Sequence, residues 1–339
     1  MKIKNQILSF VTILSVALMT FSCTNDEPKE LMPLKSIVEI AKADPANFSI
    51  LVDALKKTGL DATLGNAGSY TAFAPTNAAF TASGITSASI SAMTSATDIA
   101  ALKLTLQNHV IGLGTRSNDL LAAGYTKTFG FLKASPTSTS GVNLSIFINK
   151  VGNDVLVNGG VANGGAKIET ADIEASNGIV HVIDAVLKLP TIVSQIKANP
   201  SLSALLGVVA STPQASVLGS LNAATGTAPL TVYAPNNDAF TAASATGGYL
   251  VGKTDSQVTN ILRYHLENGN RAPSSTSSYS TSADVSITTL NTPNKFTILV
   301  SSVKIKDVVG TSNGTIKTFN IQGTNGVIQV VDKVLQPFL

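Results

Sequence analysis

Apolar residues recur at i, i+3, i+4 and i+7 twice along the chain, as Phe48, Leu51, Val52 and Leu55 and as Leu202, Leu205, Leu206 and Val209. That spacing marks one buried face of a helix. Each set follows a capping side chain and a proline, Asp44-Pro45 and Asn199-Pro200. Proline suits the first helical position, where its missing N–H would have no partner anyway. Gly59 fits the left-handed turn that ends the first helix. A second helix is predicted in each half. Asp98 caps one that carries Leu102, Leu106 and His109 on one side, and its counterpart carries Val258, Ile261, Leu262 and His265.

Strand patterns follow the helices. Tyr70–Ala74 and Leu230–Ala234 read as short strands, each ended by a proline, Pro75 and Pro235. Val142, Leu144, Ile146 and Ile148 alternate, which predicts a strand with one buried face. Gly152-Asn153-Asp154 turns the chain before Val155 and Val157. In the second half, Val285-Ile287, Phe296-Ile298-Val300 and Val303-Ile305 do the same work with residues suited to a half-buried pleated surface. Asn177-Gly178 and Asn325-Gly326 are hairpin signals. Each leads into a closing strand rich in valine and isoleucine, predicted to be buried on both sides. Helices first and β-structure after predict an α+β fold.

The two halves are copies. Tyr70-Thr-Ala-Phe-Ala-Pro-Thr-Asn-Ala-Ala-Phe80 returns as Leu230-Thr-Val-Tyr-Ala-Pro-Asn-Asn-Asp-Ala-Phe240. Leu106-Gln-Asn-His109 returns as Leu262-Arg-Tyr-His265, and Asn177-Gly-Ile-Val-His-Val-Ile-Asp184 as Asn325-Gly-Val-Ile-Gln-Val-Val-Asp332. Three blocks in the same order mean a duplicated domain. The break falls near Leu189-Pro190-Thr191, giving domains at 33–190 and 191–339. So few residues join them that the domains must lie close together.

The first residues carry a different pattern. Lys2 and Lys4 precede an apolar run from Ile7 to Phe21, and Ser22-Cys23 follows. A basic head, about 15 apolar residues and a small residue before the cut describe a secretory signal, too short for a membrane span of about 20 residues. Residues 1–22 are therefore read as a lipoprotein signal peptide and 23–32 as a polar tether. Cys23 is the single cysteine of the chain, so it has no internal disulfide partner, and its position at the foot of the apolar run points to lipid attachment. The acyl chains, at about 0.8 kcal/mol per buried CH₂, would hold the protein on the membrane. Asp26, Glu27 and Glu30 resemble the acidic residues after the cysteine of surface lipoproteins in the Bacteroidetes. The expected location is the outer membrane, on the cell surface or facing the periplasm.

Charge excludes one class of partner. Loss of Lys2 and Lys4 with the signal leaves 21 basic side chains of 23 against 20 acidic. A nucleic-acid binder would show a clustered basic footprint. Charged residues make up 13% of the chain, about half the usual level.

The repeated blocks resemble the fasciclin domain family. Its first signature is similar to Phe73-Ala-Pro-Thr-Asn-Ala-Ala-Phe80, its Tyr-His motif to Tyr264-His265 and, without the tyrosine, to Asn108-His109. Its second signature is similar to Ala171-Asp-Ile-Glu-Ala-Ser-Asn-Gly-Ile-Val-His-Val-Ile-Asp184. The resemblance implies two tandem domains, each a wedge-shaped β-sandwich with packed helices, in a protein of adhesion or matrix interaction. It also implies candidate partner-binding positions at Asp172-Ile173 and Tyr264-His265. The second domain departs from the pattern, with Gln329 in place of His181 and Phe319-Asn-Ile-Gln322 in place of Ala171-Asp-Ile-Glu174.

Catalytic chemistry finds no support. The three histidines, His109, His181 and His265, have no metal-ligand spacing such as HExxH. They read as histidines partly buried and bonded to nearby backbone. No Gly-x-Ser-x-Gly elbow or phosphate loop occurs. The glycine-rich segment 158–165 is turn chemistry between strands. Asp172 and Glu174 read as a solvated strand edge. Thr76-Asn77 and Asn236-Asn237 are suited to holding the turn after each proline, and Asp184 and Asp332 to a structural bond in the closing strands. Neither a cofactor nor a metal is expected. Three functions stay open: an envelope adhesin for an extracellular protein or glycan, a glycan-binding accessory lipoprotein, and a structural protein packed on a membrane partner.

Overall fold

A computed structural model describes residues 33–120, 123–133, 141–272, 284–310 and 313–339. The signal, Cys23 and the tether lie outside the described residues. The first domain runs α1 (Ile37–Ala43), α2 (Pro45–Thr58), α3 (Leu60–Gly65), β1 (Tyr70–Pro75), α4 (Asn77–Ala82), α5 (Ser87–Ala92), α6 (Ala96–Gln107), β2 (Val110–Gly112), β3 (Ala123–Lys133), β4 (Gly141–Val151), β5 (Asp154–Val157), β6 (Ala166–Ala175) and β7 (Gly178–Ile183). The second runs α7 (Ile192–Ala198), α8 (Ser203–Val209), α9 (Ala215–Ala223), β8 (Leu230–Pro235), α10 (Asn237–Ser244), α11 (Asp255–Tyr264), β9 (Leu266–Asn268), β10 (Val285–Thr288), β11 (Lys295–Leu299), β12 (Lys304–Lys306), β13 (Asn313–Gly323) and β14 (Gly326–Val331).

In the first domain the strands pair in chain order from β1 to β7, and β7 closes the circuit by lying parallel to β1, Tyr70 opposite Gly178 and Pro75 opposite Ile183. The second domain repeats the circuit with β14 parallel to β8. A single bridge, Glu267 to Thr289, joins its β9 to the chain just after β10. The first strand of each circuit is buried on both faces. Phe73 points inside with Ile146, Ile148 and Val157, while Ala72 and Ala74 face Phe48, Leu51 and Leu55 of α2. Tyr233 faces Phe296 and Ile298, and Val232 and Ala234 meet the helices. This is the tandem α+β arrangement expected.

The helix after Asp44-Pro45 forms as read, capped by Asp44 and ended by Gly59 at φ +69°. Three details differ from the sequence reading. Ser95, not Asp98, caps α6, and Asp98 supplies the N–H that Ser95 accepts. Strand β4 is buried on both faces from Leu144 to Ile148, because Ser145 and Phe147 are covered by the second domain and by Tyr125, whose ring lies 4.8 Å from that of Phe147. The Asn-Gly pairs do not form the centre of their hairpins. Ser176 and Asn177 make the turn, and Gly178 already pairs with Ala175. A Cβ on Gly178 would stand 2.0 Å from the Tyr70 carbonyl oxygen, and one on Gly326 equally close to that of Leu230. Glycine is there so that the parallel strand can approach. Asn177 is a buried clamp, accepting from Ile37 N–H at 3.0 Å and donating to the carbonyls of Leu64 at 2.7 Å and Asn66 at 2.8 Å. Asn325 does the same for Ile192 and Leu221.

The domains pack through a polar seam. Ser145 receives the backbone N–H of Gln322 at 3.0 Å on its hydroxyl and the Gln195 amide on its carbonyl. The Tyr125 hydroxyl donates to the Gln195 carbonyl at 2.9 Å, and Asn163 to that of Ser194 at 2.8 Å. Lys127 donates to the Asn320 carbonyl. Gly159, at φ +76°, lets the backbone pass Ala198, whose Cα would be 3.1 Å from an added Cβ.

Candidate functional site: the β6 edge of the first domain

Strand β6 shifts register twice against β7, between Ile168 and Thr170 and again between Thr170 and Ile173. The second irregularity throws Asp172 into the left-handed region at φ +64°. Its N–H then donates to His181 Nδ1 at 3.2 Å, so His181 carries its proton on Nε2 and donates to the Thr115 carbonyl at 3.0 Å. The ring is fully buried and stacks on Phe73. Burial lowers its pKa, which keeps it neutral.

The Asp172 carboxylate accepts both the N–H and the hydroxyl of Ser117 at 2.6 Å. Desolvation works to raise this carboxyl, but the Ser117 bonds, with the Arg116 charge adding, hold it below the usual range. Arg116 pairs with Glu174, both about half exposed. Asp172 and Glu174 therefore both face the loop 113–117 rather than open solvent alone. In that loop Leu113 sits at φ +68° with 76% of its surface exposed. Its carbonyl accepts the Thr71 hydroxyl, and that hydroxyl accepts Thr115 N–H at 2.8 Å. A leucine in this region costs about 1–2 kcal/mol.

The second domain keeps the frame and changes the chemistry. Asn320, at φ +57°, donates its N–H to Gln329 Oε1 at 2.9 Å, and Gln329 Nε2 donates to the Arg271 carbonyl at 2.9 Å. Glutamine thus supplies the acceptor and donor that the imidazole supplies in the first domain. Gly269, at φ +105°, accepts the Thr231 hydroxyl where Leu113 accepts that of Thr71.

The other predicted positions fall inside the framework. Thr76 and Asn236 cap α4 and α10 by accepting from Ala79 N–H at 3.2 Å and Ala239 N–H at 2.9 Å. Asn77 reaches back to the start of α2, accepting Ile50 N–H at 2.9 Å, and Asn237 accepts Ala204 N–H at 2.9 Å. Pro75 and Pro235 end their strands. Asp184 accepts from Lys167 N–H at 2.8 Å and Asp332 from Thr315 N–H at 2.6 Å. His109 and His265 lie just past their helices and are buried almost completely rather than in part. Each ring donates from Nδ1 to the carbonyl four residues back, Thr105 at 2.7 Å and Ile261 at 2.8 Å. Each accepts at Nε2 from a distant N–H, Leu187 at 2.8 Å and Leu335 at 2.9 Å. Burial pushes both down to about 4.

Tyr264 is the clearest correction. Its side chain is fully buried, with its hydroxyl donating to the Lys295 carbonyl at 2.8 Å and accepting from Val308 N–H at 3.0 Å. Tyr264 and His265 therefore brace the second domain and present no surface to a partner. Asp172 and Ile173 remain accessible, and Ile173 is only partly buried against the helical core. Sequence reasoning missed Leu113, Thr115, Arg116 and Ser117, because nothing in their order reveals a left-handed leucine. Among the described residues no three His, Cys, Asp or Glu side chains converge as a metal site would need.

The fasciclin domain matches residues 46–190 and 201–337, most of the chain. The chain belongs to the fasciclin domain family. Human periostin is 26% identical over 310 residues, covering 89% of this chain and 31% of periostin. The pig transforming growth factor-beta-induced protein ig-h3 is 30% identical over 161 residues, 47% of this chain and 20% of that protein. The chain thus spans less than a third of either relative. A solved FAS1 domain pair from the insect cell adhesion molecule fasciclin I aligns over 89% of this chain and 95% of its own, with 17% identity and a TM-score of 0.47.

Proposed function

We propose that this protein is an exported, envelope-anchored adhesion protein that binds an extracellular partner through the β6 edge of its first domain. Cys23 is the proposed site of lipid attachment, and residues 33–190 and 191–339 the two fasciclin domains. The observation that carries the reading is Leu113. It is held at φ +68° and 76% exposed beside the Asp172–Ser117 and Arg116–Glu174 contacts, where the second domain has Gly269. Strain of this kind persists where surrounding structure enforces it, and such positions cluster at functional sites. An exposed aliphatic side chain on the same loop as Arg116 and Ser117, which bind Glu174 and Asp172, joins apolar and polar groups in one short segment, as a protein-binding patch requires. Membership of the fasciclin domain family supports adhesion as the class of function.

Two experiments test the reading. Protease treatment of intact cells should remove the protein from wild type and not from a Cys23→Ser strain. Adherence of the cells to matrix-coated surfaces and to one another should fall on Leu113→Gly or Asp172→Ala, with the chain still folded and displayed. Protein shielded until lysis, or adherence indifferent to both edge variants, would sink the proposal.

A further inference from the structure

We infer that the partner for this edge is a second copy of the chain, joined head to tail. The inference rests on the proposed adhesive edge and names its occupant. Within one chain the same edge is already an interface. The second domain docks Asn320, Gln322 and α7 onto the outer face of β3 and β4, where Ser145 and Lys127 receive it.

The first domain carries the equivalent edge uncovered. Gln322 is buried and its counterpart Glu174 is exposed. Gln195 and Ala198 of α7 are buried, whereas Ile40 and Ala43 of α1, at the same positions after their Asn clamps, are half-buried and exposed. At the far end, the second domain offers the face that corresponds to β3 and β4. Lys295 pairs with Thr288 as Ser145 pairs with Lys127, so Lys295 stands where Ser145 meets the docked edge. On the neighbouring β12, Lys306 lies opposite Thr297 and Lys304 opposite Leu299, both exposed on either side of the buried Ile305.

The charges match this pairing. The free edge carries Glu39, Asp172 and Glu174, and the far face carries the three lysines. Arg116 also stands at the edge, engaged by Glu174. Lys42 sits at the position of Lys197, which stays exposed beside the internal seam. Because edge and face lie on different surfaces, the contact is heterologous, so copies add head to tail into rings or open chains rather than through one self-complementary patch. Complementary charge sets which face is chosen and makes the association salt-sensitive.

Sedimentation velocity of the full chain carrying Cys23→Ser tests this. Wild type should show species that grow with concentration and shrink at high salt. Glu174→Lys alone, and Lys295→Glu with Lys304→Glu, should each weaken association by at least about tenfold. An equimolar mixture of the two variants should restore it, which a merely misfolded variant cannot do. A wild type that stays monomeric, or a mixture no better than its components, overturns the inference. If cells carrying Glu174→Lys nonetheless lose adherence to a coated surface, the edge binds a different partner and the adhesive reading survives without this one. If adherence is unchanged as well, both fall.

Discussion

Acidification should weaken both domains through two histidines sealed in the same way. Burial keeps His109 and His265 neutral down to about pH 4, against 6.5 for an ordinary histidine. Between those values the unfolded chain takes up protons that the folded chain excludes. Stability therefore falls as pH drops from 6.5 toward 4, and the loss is complete below 4. From pH 6.5 to 5 is 1.5 units at about 1.4 kcal/mol each, so each ring should cost about 2 kcal/mol at pH 5. His181, also shifted downward by burial, adds in the same direction. Urea unfolding followed by circular dichroism at pH 7 and pH 5 measures the sum. NMR titration of the rings measures the parts, since three histidines can be assigned by single substitutions. His265→Gln keeps a donor for Ile261 and an acceptor for Leu335, and should remove the second domain's share of the pH dependence. A His109 or His265 ring titrating near 6.5 in the folded protein, or equal urea midpoints at the two pH values, would refute the argument.

Other substitutions probe other joints. Gly178→Ala drives a Cβ onto the Tyr70 carbonyl and should cost more than about 4 kcal/mol, read as loss of the first domain's unfolding transition while the second persists. Asn177→Ala strips three bonds from a buried clamp and should cost about 2–4 kcal/mol, with faster hydrogen exchange at Ile37. His181→Gln should fold with nearly unchanged stability at pH 7, because Gln329 already plays that part, whereas His181→Ala should lose about 2 kcal/mol in urea melts. Leu113→Gly should raise the melting temperature, relieving about 1 kcal/mol of backbone strain, while weakening adherence.

Much of this fold was legible because the decisive signals are local. Phe48, Leu51 and Leu55 name a helix face, Asp44-Pro45 its start and Gly59 its end, and the duplication names the second domain from the first. The short helices α4 and α10 were not read. They begin at Asn77 and Asn237 with small or polar residues and are too brief to show a period. The second buried face of β4 could not be read either, since the residues that cover Ser145 and Phe147 include Gln195 and Gln322, far along the chain. The site was legible at Asp172, where the second signature lies, and illegible at Leu113, whose backbone angle leaves no mark on sequence. Tyr264-His265 misled because a motif records that residues matter and not whether they matter at a surface or in a core.

The parallel seam between β1 and β7 also governs when each domain can exist at all. β1 belongs to the first half of its domain, yet its neighbour ends the domain, and the Asn177 clamp that ties down α1 and the end of α3 sits beside that last strand. Contacts so distant in sequence make folding slow, because the intervening loop must close before they form. A chain emerging residue by residue from its N-terminus therefore leaves β1 without its parallel partner until residue 183 is free, and β8 without its own until residue 331. Each domain thus stays threadable until its own last strand is out, and the first can lock while the second is still an open chain.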